Sequence, residues 1–156
     1  MLEITVPGYK TLLLEHLVLD YNGTIGCDGF LMEGLSEQFE ALSPLLSIHV
    51  ITADTHGFAA SQLADLPCQL TILPEGQQDQ AKRSFVQTLG TQKVVAIGNG
   101  RNDRLMLETA EIGIAVIAPE AVSTESLATA DIVTLDIFTA MELLSKPARL
   151  IATLRL

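Results

Sequence analysis

Short apolar runs alternate along the chain with stretches in which apolar residues recur every three or four positions, and that alternation restricts the fold more than any other feature. Runs at 16–20 (HLVLD), 47–51 (SIHVI), 69–73 (QLTIL), 93–97 (KVVAI), 112–117 (IGIAVI) and 131–135 (DIVTL) read as strands. Helical patterns fill 35–45, 57–65, 77–89, 101–109 and 123–129, and a last one runs from 137 onward. Parallel strands need long crossovers, which helices supply, so the pattern predicts an α/β, Rossmann-like, doubly wound sheet, mostly parallel, with helices on both faces. Residues 1–14 differ: strands at 2–6 and 11–14 flank Pro7-Gly8 and read as a hairpin leading into the sheet. With no repeats or linker-like tracts, 1–156 reads as one domain ending in a helical tail over 137–156.

The charge balance narrows the partners. Nineteen acidic residues face nine basic ones, a net charge of -10, which argues against nucleic acid or an anionic membrane, since both are bound by clustered Lys and Arg. No run approaches the roughly 18 apolar residues of a membrane span, and no signal peptide is visible. Cys27 and Cys68 give no disulfide framework, and a reducing cytoplasm is the expected location.

In an open parallel sheet, ligands sit beyond the carboxyl ends of the strands. Polar residues stand at three such ends: Asp20, followed by Tyr21-Asn22-Gly23-Thr24; Thr52, followed by Ala53-Asp54; and Gly98-Asn99-Gly100 with Asn102-Asp103. Each has an ordinary explanation. Asn-Gly between apolar runs is a hairpin signal, Thr52 reads as a helix cap, and GNGRND reads as a glycine-rich turn. GNGRND is neither a dinucleotide fingerprint, lacking the third glycine, nor a phosphate loop, lacking Gly-Lys-Ser/Thr. Asp20 is therefore either the border of a turn or a nucleophile, and the coincidence of the three ends favours chemistry.

Asp20-Tyr21-Asn22-Gly23-Thr24, Thr52, Lys82 in QAKRSFVQTLG and GNGRNDRLML resemble, in order, the four motifs of the haloacid dehalogenase superfamily. The likeness extends from about residue 15 to 136 through EIGIAV and ATADIVTLD, and is strongest to the phosphorylation domain of P-type ATPases. Only residues 25–51 separate Thr24 from Thr52, which leaves no room for those ATPases' nucleotide-binding insertion. The resemblance implies a capless protein whose TIGCDGFLMEG segment forms a small flap hairpin turning at Asp28-Gly29. It also implies an aspartyl-phosphate intermediate on Asp20, with Asn22 at the acid/base position and Lys82 as the neutralising cation. Gly23, Thr52, Ala53, Lys82 and Asn102 would contact the phosphoryl group, and Asp20, Asn22, Asn99 and Asp103 would form a Mg²⁺ site. The implied substrate is a small phosphorylated molecule or a phosphoprotein, and a second copy of the chain could supply the missing lid.

Two departures from the family pattern carry information. Asn22 stands where most phosphatases of the superfamily have the acid/base aspartate, and an amide does not trade protons. Asn99 stands where motif four usually has a metal-binding aspartate, and its oxygen brings no charge. The expected protein is thus a slow Mg²⁺-dependent phosphohydrolase. The alternative is a noncatalytic phosphate-binding or regulatory domain, and a two-component receiver is disfavoured because receivers open with paired acidic residues. His16 and His49 read as strand positions, His56 as a rim residue near the site, and Pro147 as a helix break followed by a segment that packs on its own domain or, as the alternative, on a partner.

Overall fold

A computed structural model describes residues 1–54, 57–117 and 119–156. The first two strands, β1 (Leu2–Thr5) and β2 (Thr11–Leu14), form an antiparallel hairpin whose loop passes Gly8 at φ 75°. A six-stranded, wholly parallel sheet follows. Its members are β3 (His16–Asp20), β6 (Ser47–Thr52), β7 (Gln69–Ile72), β8 (Val94–Gly98), β9 (Ile112–Val116) and β10 (Ile132–Thr134), in the order β10-β9-β8-β3-β6-β7. The short strands β4 (Gly26–Cys27) and β5 (Phe30–Leu31) make the flap. Asp28 and Gly29 lie between them at φ 51° and 86°, the left-handed pair that a two-residue hairpin turn requires.

The sheet is covered on both faces, which is why β8 and β9 read as unbroken apolar runs and are buried at every position. Leu17, Leu19, Val50, Val95, Ile97 and Ile114 face one layer, which includes α1 (Leu35–Leu42), α2 (Ala59–Leu63) and α6 (Ile137–Ser145). Val18, Ile51, Ala96 and Ala115 face the other, formed by α3 (Gln78–Leu89) and α4 (Arg104–Thr109). The α1 face follows helical spacing, with Leu35, Phe39 and Leu42 buried. The remaining short helix, α5 (Thr124–Thr129), is capped by the Ser123 hydroxyl, which accepts from the Glu125 amide at 3.3 Å.

Pro147 acts as expected. α6 ends at Ser145, Lys146 leaves the helical region, and Pro147 opens α7 (Pro147–Leu154), where its missing N–H costs nothing. α7 lies back on the chain: Leu150 is fully buried, and Ile151 and Leu154 pack against the same core as the N-terminal hairpin. Among the described residues, no helix is long and apolar enough to cross a membrane.

The strand order sets where ligands can go. From β3 the chain builds outward through β6 and β7, then returns to the other side of β3 to begin β8. This reversal leaves a crevice at the carboxyl ends of β3 and β8, where the helices leave in opposite directions. Asp20 and Asn99 flank that crevice.

Candidate active site

After Asp20 the chain winds tightly. The Tyr21 carbonyl accepts from the amides of Thr24, Ile25 and Gly26 at 3.2, 3.1 and 2.8 Å, and Gly23 donates to the Gly26 carbonyl at 2.8 Å. The winding turns Thr24 back onto the strand end. Its hydroxyl lies 3.2 Å from Asp20 Oδ2 and 3.1 Å from Asn99 Oδ1, so one proton serves two acceptors. Gly23 is required twice here: its φ is 81°, and a Cβ at that position would lie 2.3 Å from Asn99 Nδ2.

Beyond the neighbouring strand β8, Asp103 folds back onto the turn that contains it. Its Oδ2 accepts from the amides of Asn99 at 3.0 Å and Gly100 at 2.8 Å, while Oδ1 takes Lys82 Nζ at 2.6 Å. Lys82 also reaches Asp20 Oδ1 at 2.6 Å. The lysine stands on the packed face of α3, one turn before the buried Val86, and is only 1% exposed. A single buried cation therefore bridges two buried carboxylates, in short charge-assisted bonds.

The electrostatics follow from burial. Withdrawal from water, then the neighbouring Asp103 carboxylate, push the Asp20 pKa up to about 6, although Lys82 and the Thr24 hydroxyl pull the other way. Burial by itself would lower the lysine, but the carboxylates of Asp103 and Asp20 outweigh it and hold Lys82 firmly protonated. One cation is shared where two carboxylates compete for it, and an arriving positive charge would relieve the cluster.

Thr52 ends β6 with 1% exposure, and its hydroxyl accepts from the Asp54 amide at 3.0 Å. Ala53 sits between them in the half-buried loop, and Asp54, at φ 50°, caps the Ala59 amide at 3.0 Å. The Asn102 amide donates to Gln78 Oε1 at 3.0 Å, and both residues line an open pocket of about 440 Å³ with Arg101 and Arg104. His56 lies outside the described residues.

The donors present suit a hard divalent cation. Asp20, Asn22 and Asn99 offer oxygen atoms, the ligands such ions prefer. Asn22 Oδ1 is buried with no hydrogen-bond donor among the described residues, an acceptor that a cation or its hydration water would satisfy. Asp103 accepts from Lys82 and two backbone amides, and these contacts hold the site together.

Several contacts were not visible in the sequence, although Thr24 itself belongs to the motif that begins at Asp20. Thr24 is four residues beyond Asp20, and only the tight winding brings its hydroxyl back. The flap is fixed by Gln62, whose Nε2 donates to the Gly29 carbonyl at 2.9 Å and whose Oε1 accepts from the Leu31 amide. Tyr21 adds a third tie, its hydroxyl donating to the Gly29 carbonyl at 3.1 Å. These contacts need the tertiary fold, and Gln62 belongs to no motif.

A scan against protein-family models finds no match. The uncharacterised protein MJ0073 of Methanocaldococcus jannaschii is 39% identical over 84 residues, which span 51% of this chain and 90% of MJ0073. Among solved structures, the 3-deoxy-D-manno-octulosonate 8-phosphate phosphatase of Moraxella catarrhalis, in complex with magnesium, phosphate and KDO, is similar with a TM-score of 0.69. The identity is 15%, over 91% of this chain and 94% of that one. The cobalt-bound form of the deoxy-D-mannose-octulosonate 8-phosphate phosphatase of Haemophilus influenzae gives 0.69 at 14% identity, over 88% of this chain and 90% of that one. The catalytic domain of the CPx-ATPase CopB-B gives 0.61 at 24% identity, over 74% of this chain and 46% of that one. Identities this low establish a shared fold and nothing finer. The chain thus belongs to one family with MJ0073, and its fold, a six-stranded parallel sheet with a small flap and, among the described residues, no large cap, is that of the haloacid dehalogenase superfamily.

Proposed function

We propose that the protein is a Mg²⁺-dependent phosphoryl-transfer enzyme that works through an aspartyl phosphate on Asp20 and turns over slowly. The observation that carries this reading is the buried Asp20–Lys82–Asp103 triad at the strand crevice, with both lysine contacts at 2.6 Å. A carboxylate so placed faces a fixed cation that offsets part of the cost of its burial, and phosphoryl transfer depends mainly on such positioning and charge neutralisation.

In the proposed reaction a carboxylate oxygen of Asp20 attacks phosphorus, the bond from phosphorus to the leaving-group oxygen breaks, and that oxygen takes a proton from water. Water then cleaves the acyl phosphate, giving inorganic phosphate and the Asp20 carboxylate. Asp20, Asn99 and the backbone carbonyl of Asn22 would hold Mg²⁺, which when bound neutralises phosphoryl oxygens. Lys82 is the protein's own cation beside the reacting carboxylate, and Asp103 fixes its position. Thr52, with Ala53, Gly23 and Asn102, would surround the phosphoryl group. The substrate's remainder, a small molecule or the edge of a phosphoprotein, would leave over the flap or into the pocket beside Asn102.

Asn22 makes the reading specific. With an amide at the acid/base position, protonation of the leaving group and activation of the attacking water both go unassisted, and a positioned acid or base is typically worth about 10²–10⁴ in rate. Aryl and acyl phosphates, whose leaving groups need little protonation, should still phosphorylate Asp20. The expected time course is a burst close to stoichiometric with protein, then a slow steady state. Asn22→Asp should shrink the burst and raise the steady-state rate about 10²-fold. Fast turnover without a burst, unchanged or slowed by Asn22→Asp, would remove Asn22 from that role. Binding of inorganic phosphate with no turnover at any pH would favour the noncatalytic alternative.

A further inference from the structure

Asn99 is the residue most easily read as a defect, a metal-binding aspartate lost. Its surroundings give a different account. Nδ2 donates to the Ala121 carbonyl at 2.9 Å, and Oδ1 accepts from Thr24. A carbonyl only accepts, so this contact fixes which end of the amide is nitrogen. The fit is close: Gly23 has no Cβ where one would meet that nitrogen, and the Ser123 amide donates to the Asn99 carbonyl at 2.8 Å. Glu120, next to Ala121, accepts from the Asp28 amide at the flap turn at 2.8 Å. Asp20, Thr24, Asn99, Ala121, Glu120 and Asp28 thus form one run of contacts from the strand end to the flap. An aspartate at 99 would set a carboxylate oxygen against the Ala121 carbonyl, two acceptors facing each other in a buried place.

We infer that Asn99 is a positioning residue whose amide, through Thr24 on one side and Ala121 on the other, ties the nucleophile's strand to the 119–123 loop and the flap, and that an aspartate there loosens this rim. The exchange test below is independent of the phosphoryl-transfer reading, and only the rate test rests on it.

Asn99→Asp separates the two accounts, because it removes one donor without changing side-chain shape. Backbone amide hydrogen exchange at Asp28 and Ser123 should accelerate about tenfold, as for one lost hydrogen bond, while Ile97 in β8 keeps its wild-type rate. Glu120→Ala, which leaves residue 99 intact, should speed exchange at Asp28 and leave Ser123 unchanged. Mg²⁺ titration should show tighter binding by Asn99→Asp, since the new ligand is anionic. Single-turnover phosphorylation by acetyl phosphate at saturating Mg²⁺ should nonetheless slow about tenfold, as misplacement of a reacting group does. A merely weakened metal ligand predicts the reverse, with affinity and rate rising together. That result, or unchanged exchange at Asp28 and Ser123, overturns the inference. A wild-type protein that acetyl phosphate never labels would defeat the proposed function and leave the exchange result to decide the role of Asn99.

Discussion

Lys82 is the residue on which the site's charge balance turns. Its stem is buried against α3's neighbours and its head satisfies two carboxylates, so removing the charge leaves both without their cation. Lys82→Met should destabilise the protein by about 3–5 kcal/mol in chemical denaturation, the usual cost of breaking a buried pair, and should abolish labelling of Asp20. Asp20 itself is held at a cost. Its pKa is raised from the ordinary 3.8 to about 6, chiefly by burial, so between those values the native state binds more protons than the unfolded chain. Stability contributed by Asp20 is therefore greater at the acid end of that window and falls as pH rises through it. Asp20→Asn lacks this dependence. In metal-free denaturation, the wild type should lose stability relative to Asp20→Asn as pH rises across the window, and a constant difference would contradict the shift.

At the scale of elements, the strands and helices were legible because period and burial agree. The apolar runs at 16–20, 93–97 and 112–117 became the central strands β3, β8 and β9, and the turn signals at Pro7-Gly8, Asp28-Gly29 and Pro147 each mark a real change of direction. Lys82 was legible only in part. In isolation a helical lysine reads as solvated surface, yet Ala81, Phe85, Val86 and Leu89 set out a packed face on which 82 also falls. What local pattern cannot carry is contact between distant elements. The Thr24–Asn99 bond spans two strand ends, and His16 Nδ1 meets His49 Nε2 at 3.1 Å across β3 and β6 with no sequence spacing to announce it. Gly113 belongs to the same class. Nothing in the run IGIAVI announces that a Cβ at this position would lie 2.3 Å from the Leu107 carbonyl of α4. Gly113→Ala should therefore cost about 1–3 kcal/mol, the range for overpacking, and a neutral effect on the denaturation midpoint would show that α4 can yield.

Over the whole molecule, the doubly wound order brings Asp20, Lys82, Thr52 and Asn99 from separate stretches of chain to one crevice, beside which the flap turn at Asp28 is tied to Glu120 of the 119–123 loop. The buried cluster is itself one positive charge short, since Lys82 is shared by the carboxylates of Asp20 and Asp103. On the proposed function, Asp20 becomes phosphorylated and, for want of an acid/base carboxylate at 22, stays so. The most direct measurement is intact-protein mass spectrometry after incubation with acetyl phosphate and Mg²⁺, followed by borohydride reduction and peptide mapping. The account predicts one added phosphoryl group per chain that persists after the donor is removed, maps to Asp20, and is missing from Asp20→Asn. An unlabelled wild type, or a label that survives in Asp20→Asn, would contradict it.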